Sequence, residues 1–254
     1  MKRLDLTHIK WNNISLTSPG TVPKYIDKEK FYKLSAYNNM VGFYGNEPIY
    51  EDLAYRIGKE IGINVVKIET FMAYVNYDNK YFNTYVTISP NFSCNKQYTP
   101  IEKYCYINNI KPEDLFNTKF SNEISNIIIF DFIINNKDRH GRNIELNSNE
   151  IAPVFDNSFS FCSKIEDSQL NENLFKEYAA NNYIGYPNLL KNLDLICSKP
   201  KLNLDLNNIN KIIDDWSETF NISNIRTEFI KNLIKYRVEI VNKKFSNNSL
   251  FSWR

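Results

Sequence analysis

Asp138, Asn143 and Asp156 are the residues of this chain whose types and spacing best suit a chemical task. They lie in Asn136-Lys137-Asp138-Arg139-His140-Gly141-Arg142-Asn143 and, a little further on, in Pro153-Val154-Phe155-Asp156-Asn157. Phosphoryl transfer from a nucleotide asks a protein for little covalent work. It asks for alignment of donor and acceptor, and for cations beside the oxygens where charge develops. On that reading Asp138 accepts a hydrogen bond from an attacking hydroxyl. Asn143 offers a neutral carbonyl oxygen and Asp156 an anionic one, the hard ligands that magnesium prefers. Arg139 and Arg142 can pair with phosphate oxygens or with acidic neighbours, and spacing alone does not choose. An isolated Asp-x-His would be an ordinary polar loop. The set of Asn136, Asp138, His140, Asn143 and Asp156 together argues for a site.

Other chemistries fit poorly. The only histidines are His8 and His140, too few for a His-rich zinc site. His140 beside Asp138 mimics a hydrolase dyad, but no G-x-S-x-G elbow supplies a nucleophile. Cys94, Cys105, Cys162 and Cys197 form no C-x-x-C pair and read as reduced thiols of a cytoplasmic protein.

The elements that must position these residues can be read from periodicity. Phe31 to Leu34 is a strand with Lys33 pointing inward. Tyr50 to Ile61 is an amphipathic helix opened by Glu51, with Leu53, Ala54, Ile57 and Ile61 at helical spacing and Gly62 as its stop. Thr70 to Tyr77 and Tyr81 to Ser89 are strands joined by a turn at Asp78-Asn79-Lys80. Phe120 to Ile134 is a helix apolar on most faces, leading directly into the Asn136 loop. Ile144 to Leu146 and Ile151 to Val154 form a short hairpin turning at Asn147-Ser148-Asn149. Leu189 to Leu195, Ile209 to Phe220 and Thr227 to Phe245 are further helices. Thr17-Ser18-Pro19-Gly20-Thr21-Val22-Pro23-Lys24 reads as a loop between two strands, whose backbone N–H groups and small hydroxyls can cradle phosphates. Its single glycine makes it neither a Walker A loop nor the Gly-rich loop of ordinary protein kinases.

The catalytic window resembles that of the HipA-like serine/threonine kinases, N-x-D-x-H-x-x-N followed by P-x-[FY]-D. Asp138-Arg139-His140 and Asn143 are also similar to the D-R-H-x-x-N loop of phosphoinositide 3/4-kinase-like enzymes. The resemblance implies a two-lobed, protein-kinase-like α+β fold: an antiparallel-sheet N-lobe over residues 1–90 and a mainly helical C-lobe over 91–254. It implies Asp138 as the catalytic aspartate, Asn143 and Asp156 as magnesium ligands, and Asn136 and His140 in support. Asn157-Ser158 stands where other kinases have Phe-Gly. Thr17 to Lys24 resembles the family's S-S-G-x-x-P-K phosphate loop, so Ser18, Gly20, Thr21 and Lys24 are implied to bind nucleotide. Lys33 is implied to hold phosphates and Glu51 to hold Lys33, with Glu47 and Asp52 as competitors for that partnership. Ile88-Ser89-Pro90-Asn91-Phe92 resembles the S-x-N-F hinge against which adenine binds, through Ser89 and Asn91.

ATP and magnesium are therefore the implied cofactors, and a protein bearing Ser or Thr the implied acceptor. The length implies a compact, single-domain member. The family also implies an antitoxin partner and self-phosphorylation at Thr17, Ser18 or Thr21, which would put about −1.5 to −2 charges where ATP phosphates must sit. A lipid kinase and a nucleotide-binding pseudokinase are the rival readings. Composition suits one folded enzyme: 254 residues, 43% hydrophobic and 15% aromatic. The net charge of +2, from 31 basic and 29 acidic side chains, gives no bulk attraction to nucleic acid. No segment has the length and apolarity of a membrane span, and the N-terminus lacks a signal peptide's apolar core.

Overall fold

A computed structural model describes residues 3–14, 19–94, 96–181, 185–196, 200 and 202–246. Strands β1 (Arg3–Leu6), β2 (Asn12–Ile14), β3 (Pro19–Ile26) and β4 (Lys30–Leu34) come first, then a small ribbon of β5 (Tyr37–Asn38) and β6 (Gly42–Phe43). Helix α1 (Glu47–Ile61) and the long hairpin β7 (Glu69–Tyr77) and β8 (Lys80–Pro90) complete the sheet lobe. The helical lobe holds β9 (Thr99–Pro100), α2 (Ile101–Asn108), α3 (Ser121–Ile134), β10 (Glu145–Leu146), α4 (Leu189–Asn192), α5 (Leu206–Phe220) and α6 (Asn224–Ser246). This is the expected α+β, two-lobed, protein-kinase-like fold.

The six-stranded sheet runs β1-β7-β8-β4-β3-β2. Its pairs are antiparallel except β1 with β7, which is parallel and corrects the expectation of a purely antiparallel sheet. The chain between these two strands includes α1, and a crossover of that length permits a parallel return that a tight turn forbids. Between β7 and β8, Asp78 and Asn79 both take left-handed backbone, with φ of 53° and 58°. Such a two-residue turn matches the twist of the strands it joins. Lys80 therefore starts β8 instead of belonging to the turn.

The expected phosphate loop is shorter than its sequence suggested. Thr17 and Ser18 lie outside the described residues, while Gly20, Thr21 and Lys24 belong to strand β3. Tyr25 and Ile26 favour strand over loop, and β3 pairs with β4 through Lys24↔Lys33, Tyr25↔Tyr32 and Ile26↔Phe31.

Helix α1 begins at Glu47, ahead of Tyr50, so Glu51 lies one turn inside and does not open it. Pro48 is tolerated in the first turn, where its missing N–H has no helical partner to lose. The helix stops at Gly62, whose φ of 89° suits glycine and whose N–H meets the carbonyls of Gly58 and Lys59. Leu53, Ala54, Ile57 and Ile61 are fully buried and belong to the larger core, with Ile213 and Trp216 of α5 and most of α3. A smaller core lines the sheet, around Leu34, Ala73, Val75 and Val86.

The short hairpin is rearranged. Its turn forms, with Asn147 Oδ1 accepting from the N–H groups of Asn149 (2.8 Å) and Glu150 (3.1 Å). Its arms meet only at a Leu146–Ile151 bridge. Glu145 and Leu146 pair instead with Thr99–Pro100, and Val154 with Val65. The first of the late helices is also shorter than expected, α4 giving way to a 3-10 turn over Leu193–Leu195.

Candidate active site

Helix α3 delivers the window from Asn136 to Asn143. It is apolar on nearly every face because nearly every face is buried, and it ends where Asn135 adopts a left-handed φ of 55°. Asparagine tolerates that conformation better than most residues. The chain then turns sharply, and the N–H of Asn136 bonds the Asp131 carbonyl at 2.9 Å.

Asp131 and Arg139 are both 0% exposed and hold the loop together. Arg139 Nε donates to Asp131 Oδ2 at 3.0 Å and Nη2 to Oδ1 at 2.9 Å, a bidentate pair. The same guanidinium donates to the Phe155 carbonyl at 2.6 Å and to Asn157 Oδ1. It thereby ties loop 136–143 to the Asp156 segment, and it chooses the acidic neighbour over any phosphate. Asn136, also 0% exposed, is an internal brace: its Nδ2 donates to Asp131 Oδ1 (3.0 Å) and its Oδ1 accepts from the Asp138 N–H (3.2 Å). Asn143 Nδ2 donates to the Asp138 carbonyl at 3.0 Å. Asp131 and Asn157 were missed by sequence reasoning, although a single carboxylate inside an isoleucine-rich helix was a visible signal.

From the sheet side, Lys33 on β4 reaches Asp156 Oδ1 at 2.6 Å and Glu51 Oε2 at 3.2 Å. The partner of Lys33 on α1 is Glu51; Asp52 pairs with Arg56, and Glu47 with Lys164. Burial by itself would lower the Lys33 ammonium, but Asp156 and Glu51 overrule it and hold its pKa well above the usual lysine value. Burial likewise opposes ionisation of Asp156, yet Lys33 holds that carboxyl far below the ordinary range. Glu51 goes the other way: burial raises it, Lys33 opposes, and Asp156 adds repulsion. Asp156 sits at a left-handed φ of 57°, the kind of costly backbone that clusters at functional sites.

Lys24 lies directly across the ladder from Lys33. Opposed cations on neighbouring strands repel. Burial first, and Lys33 second, lower the Lys24 pKa. Among the described residues Lys24 forms no ion pair.

One cavity of about 310 Å³ gathers these groups. Lys24, Lys33, Glu51, Asn143 and Asp156 line it, together with the apolar side chains of Phe31, Val66, Ile68, Phe92 and Phe155 and with Ser89 and Asn91. Phe92 packs on Phe155 with ring centres 5.4 Å apart. Arg142, which the sequence left between a phosphate and an acidic partner, also lines it, as does Glu145, which the sequence did not single out. Asp138 is not a wall of this cavity. It is half-buried beside it, where burial raises its pKa, the neighbouring His140 lowers it and Asp156 adds repulsion. His140 Nδ1 is buried without a hydrogen-bond partner. The side chain of Thr21 is not described.

The donor set fits magnesium. Among the described residues no group of three or more His, Cys, Asp or Glu side chains forms a metal centre. A cation that keeps some waters and shares the ligand's phosphate oxygens needs only one or two protein oxygens. With Asn143 Nδ2 spent on the loop, the Asn143 side-chain oxygen and the Asp156 carboxylate remain for that role.

The chain has a protein-kinase-like fold, and its paired charges Lys33, Glu51 and Asp156 line one cavity. The fold is shared with a solved structure of the Helicobacter pylori proinflammatory kinase CtkA. That likeness has a TM-score of 0.63 at 17% identity and covers 98% of this chain and 100% of that one. A second solved structure is the Shewanella oneidensis MR-1 toxin–antitoxin system HipA with HipB and its operator DNA. It aligns at 12% identity and a TM-score of 0.42, over 91% of this chain and 65% of that one. No family model matches the sequence, and no curated protein matches it. Cys94 and Cys162 are free thiols, and among the described residues no helix is long and apolar enough to cross a membrane.

Proposed function

We propose that this protein is an ATP- and magnesium-dependent kinase that moves the γ-phosphoryl group to a Ser or Thr hydroxyl of a protein. One observation carries the reading: the cross-strand cations Lys24 and Lys33 face one cavity with Asn143 and Asp156, and only Lys33 has carboxylate partners. Two lysines held side by side in a half-buried place call for an anion between them, and a nucleotide triphosphate supplies it. The apolar lining of the cavity suits a base, with Ser89 and Asn91 in the same lining. Asn143 and Asp156 would hold magnesium, which would offset the negative charge of the phosphate oxygens.

Within this reading residues 1–90 and 91–254 are the two lobes. Lys33 holds phosphate oxygens, and Glu51 keeps its ammonium aimed. Lys24 balances the remaining charge. Asp138 accepts the hydrogen bond of the incoming hydroxyl and orients it toward the phosphorus. Its raised pKa suits that role, because a carboxylate destabilised by burial accepts a proton more readily as the bond forms. Arg139 and Asn136 hold Asp138 in place without touching ligand. The choice of a Ser/Thr acceptor and an antitoxin partner rests on the resemblance of Asn136 to Asn143 to the HipA-like window, self-phosphorylation at Thr17, Ser18 or Thr21 on that of Thr17 to Lys24 to the family's phosphate loop, and a cytoplasmic setting on the scattered cysteines.

Asp138→Ala tests the proposal, with labelled ATP and a protein substrate panel. Phosphate transfer is expected to fall by about a thousandfold or more, with nucleotide affinity and melting temperature nearly unchanged. Retention of full activity in this variant rejects the assignment.

A further inference from the structure

Glu47 and Glu51 stand one turn apart on the same face of α1. Glu51 reaches Lys33, and Glu47 is engaged from the opposite side of the cleft. Glu47 is 4% exposed, and its carboxylate accepts from three sources. The N–H of Ala36, just past β4, donates to Oε2 at 3.1 Å. The first backbone N–H of α1, its own, donates as well. The Lys164 ammonium, from the segment that follows Asp156, donates to Oε1. A negative group at a helix N-terminus also complements the helix dipole. Burial opposes this carboxylate, yet Lys164 and the two N–H donors hold it ionised below its ordinary pKa.

The segment that carries Lys164 is anchored at its far end too. Arg226 on α6 donates to the carbonyls of Cys162 (3.1 Å) and Ile165 and, through Nε, to Asp167 at 2.8 Å. Phe161 and Cys162 both take left-handed backbone, with φ of 54° and 55°, so the turn presenting Lys164 is held in a costly shape. Lys164 also rests over the Phe159 ring at 4.9 Å. Gly45 completes the arrangement: a Cβ there would run into the Glu47 carboxylate.

An exposed ion pair is worth little, and Lys164 is half-exposed. The partner is not exposed, and that changes the argument. A Glu47 carboxylate deprived of its cation is a buried charge short of a partner, and water draws it outward. Because Glu47 is the first residue of α1, that movement turns the helix end that carries Glu51.

We propose that Lys164 is a positioning residue: its bond to Glu47 sets the orientation of α1 that brings Glu51 to Lys33, and does so with no covalent modification of the 156–167 segment. Its effect on turnover rests on the kinase reading above. Its effect on the placement of Lys33 does not.

The experiment compares native protein with Lys164→Met, Lys164→Arg and Gly45→Ala. Lys33 acylation by an amine-reactive ester is read by peptide mass spectrometry, with thermal melting and phosphate transfer measured in parallel. Lys164→Met is expected to speed Lys33 acylation by about fivefold or more and to lower kcat more than it raises KM for ATP. Lys164→Arg restores both. Gly45→Ala displaces the Glu47 carboxylate without removing a charge, and is expected to behave like Lys164→Met even if that variant folds poorly. Equal Lys33 acylation in native protein, Lys164→Met and Gly45→Ala overturns the inference. Faster acylation in the variants of a native protein that transfers no phosphate upholds the inference and removes the kinase reading instead.

Discussion

Two clusters of buried charge flank the loop from Asn136 to Asn143, and they differ in whether their bonding capacity is filled. Beneath the loop, Arg139 spends its guanidinium on Asp131, Phe155 and Asn157, and Asn136 adds a further donor to Asp131. Nothing is left over for a ligand. Above the loop, Lys33 shares Asp156 and Glu51, but the neighbouring Lys24 has no ion-pair partner among the described residues. The Nδ2 of Asn143 is committed and no described donor reaches its Oδ1. The contrast separates scaffold from site. A saturated buried network fixes geometry, and an unsaturated one at a cavity carries a cost that a ligand can relieve.

The largest expected effect breaks the lower cluster. Arg139→Leu leaves the Asp131 carboxylate buried without its guanidinium, so urea unfolding is expected to show a loss of about 3–5 kcal/mol. A loss under about 1 kcal/mol would mean the lower cluster is not the brace described here. The upper cluster predicts the opposite pattern. Lys24→Met is expected to weaken binding of inorganic triphosphate by about tenfold in calorimetry, or about 1.4 kcal/mol, while the melting temperature holds or rises as the repulsion on Lys33 is relieved. A drop in stability with unchanged triphosphate binding would erase the distinction between the clusters.

The smallest effect concerns Glu47, a third and filled position. Its folded pKa is depressed, so it contributes stability above its unfolded value of about 4.3 and loses that contribution as pH falls through the folded value. The stability gap between native protein and Glu47→Gln is therefore expected to be widest near neutrality and to narrow below about pH 4. Urea midpoints at several pH values measure it, and a gap independent of pH counts against the ionised, Lys164-paired state.

Particular residues show how far the sequence could be read. Asp138, Asn143 and Asp156 were chosen from type and spacing alone, because few local patterns put those oxygens so close along a chain. Lys33 as a site residue, and Glu51 over Glu47 and Asp52 as its partner, followed only from the family resemblance, since all three acids lie in or beside one helical turn. The register of α1 decides it: Glu47 and Glu51 share a face, and Asp52 is rotated about 100° away, toward Arg56. Arg139 and Arg142 were equivalent on paper, and only the position of Asp131 one turn back on α3 separates them. The hairpin after Asn143 was legible in its turn and its Leu146–Ile151 bridge, but its further pairing was not, for a related reason. Alternation marks a strand but does not name its partner, and β10 pairs with β9 from a distant stretch of chain.

The sequence by itself determined the α+β class, most of the helices and strands, and the local windows that hold the oxygen-bearing side chains. These depend on periodicity and on residues a few positions apart. Which cation meets which carboxylate, that Lys24 stands opposite Lys33, that Arg139 is spent beneath the loop, and that Lys164 closes on Glu47 were decided only in three dimensions. Some of those pairings, Lys33 with Asp156 and Lys164 with Glu47, join residues far apart in the chain, and burial, which makes a missing partner costly, exists only once the core has formed.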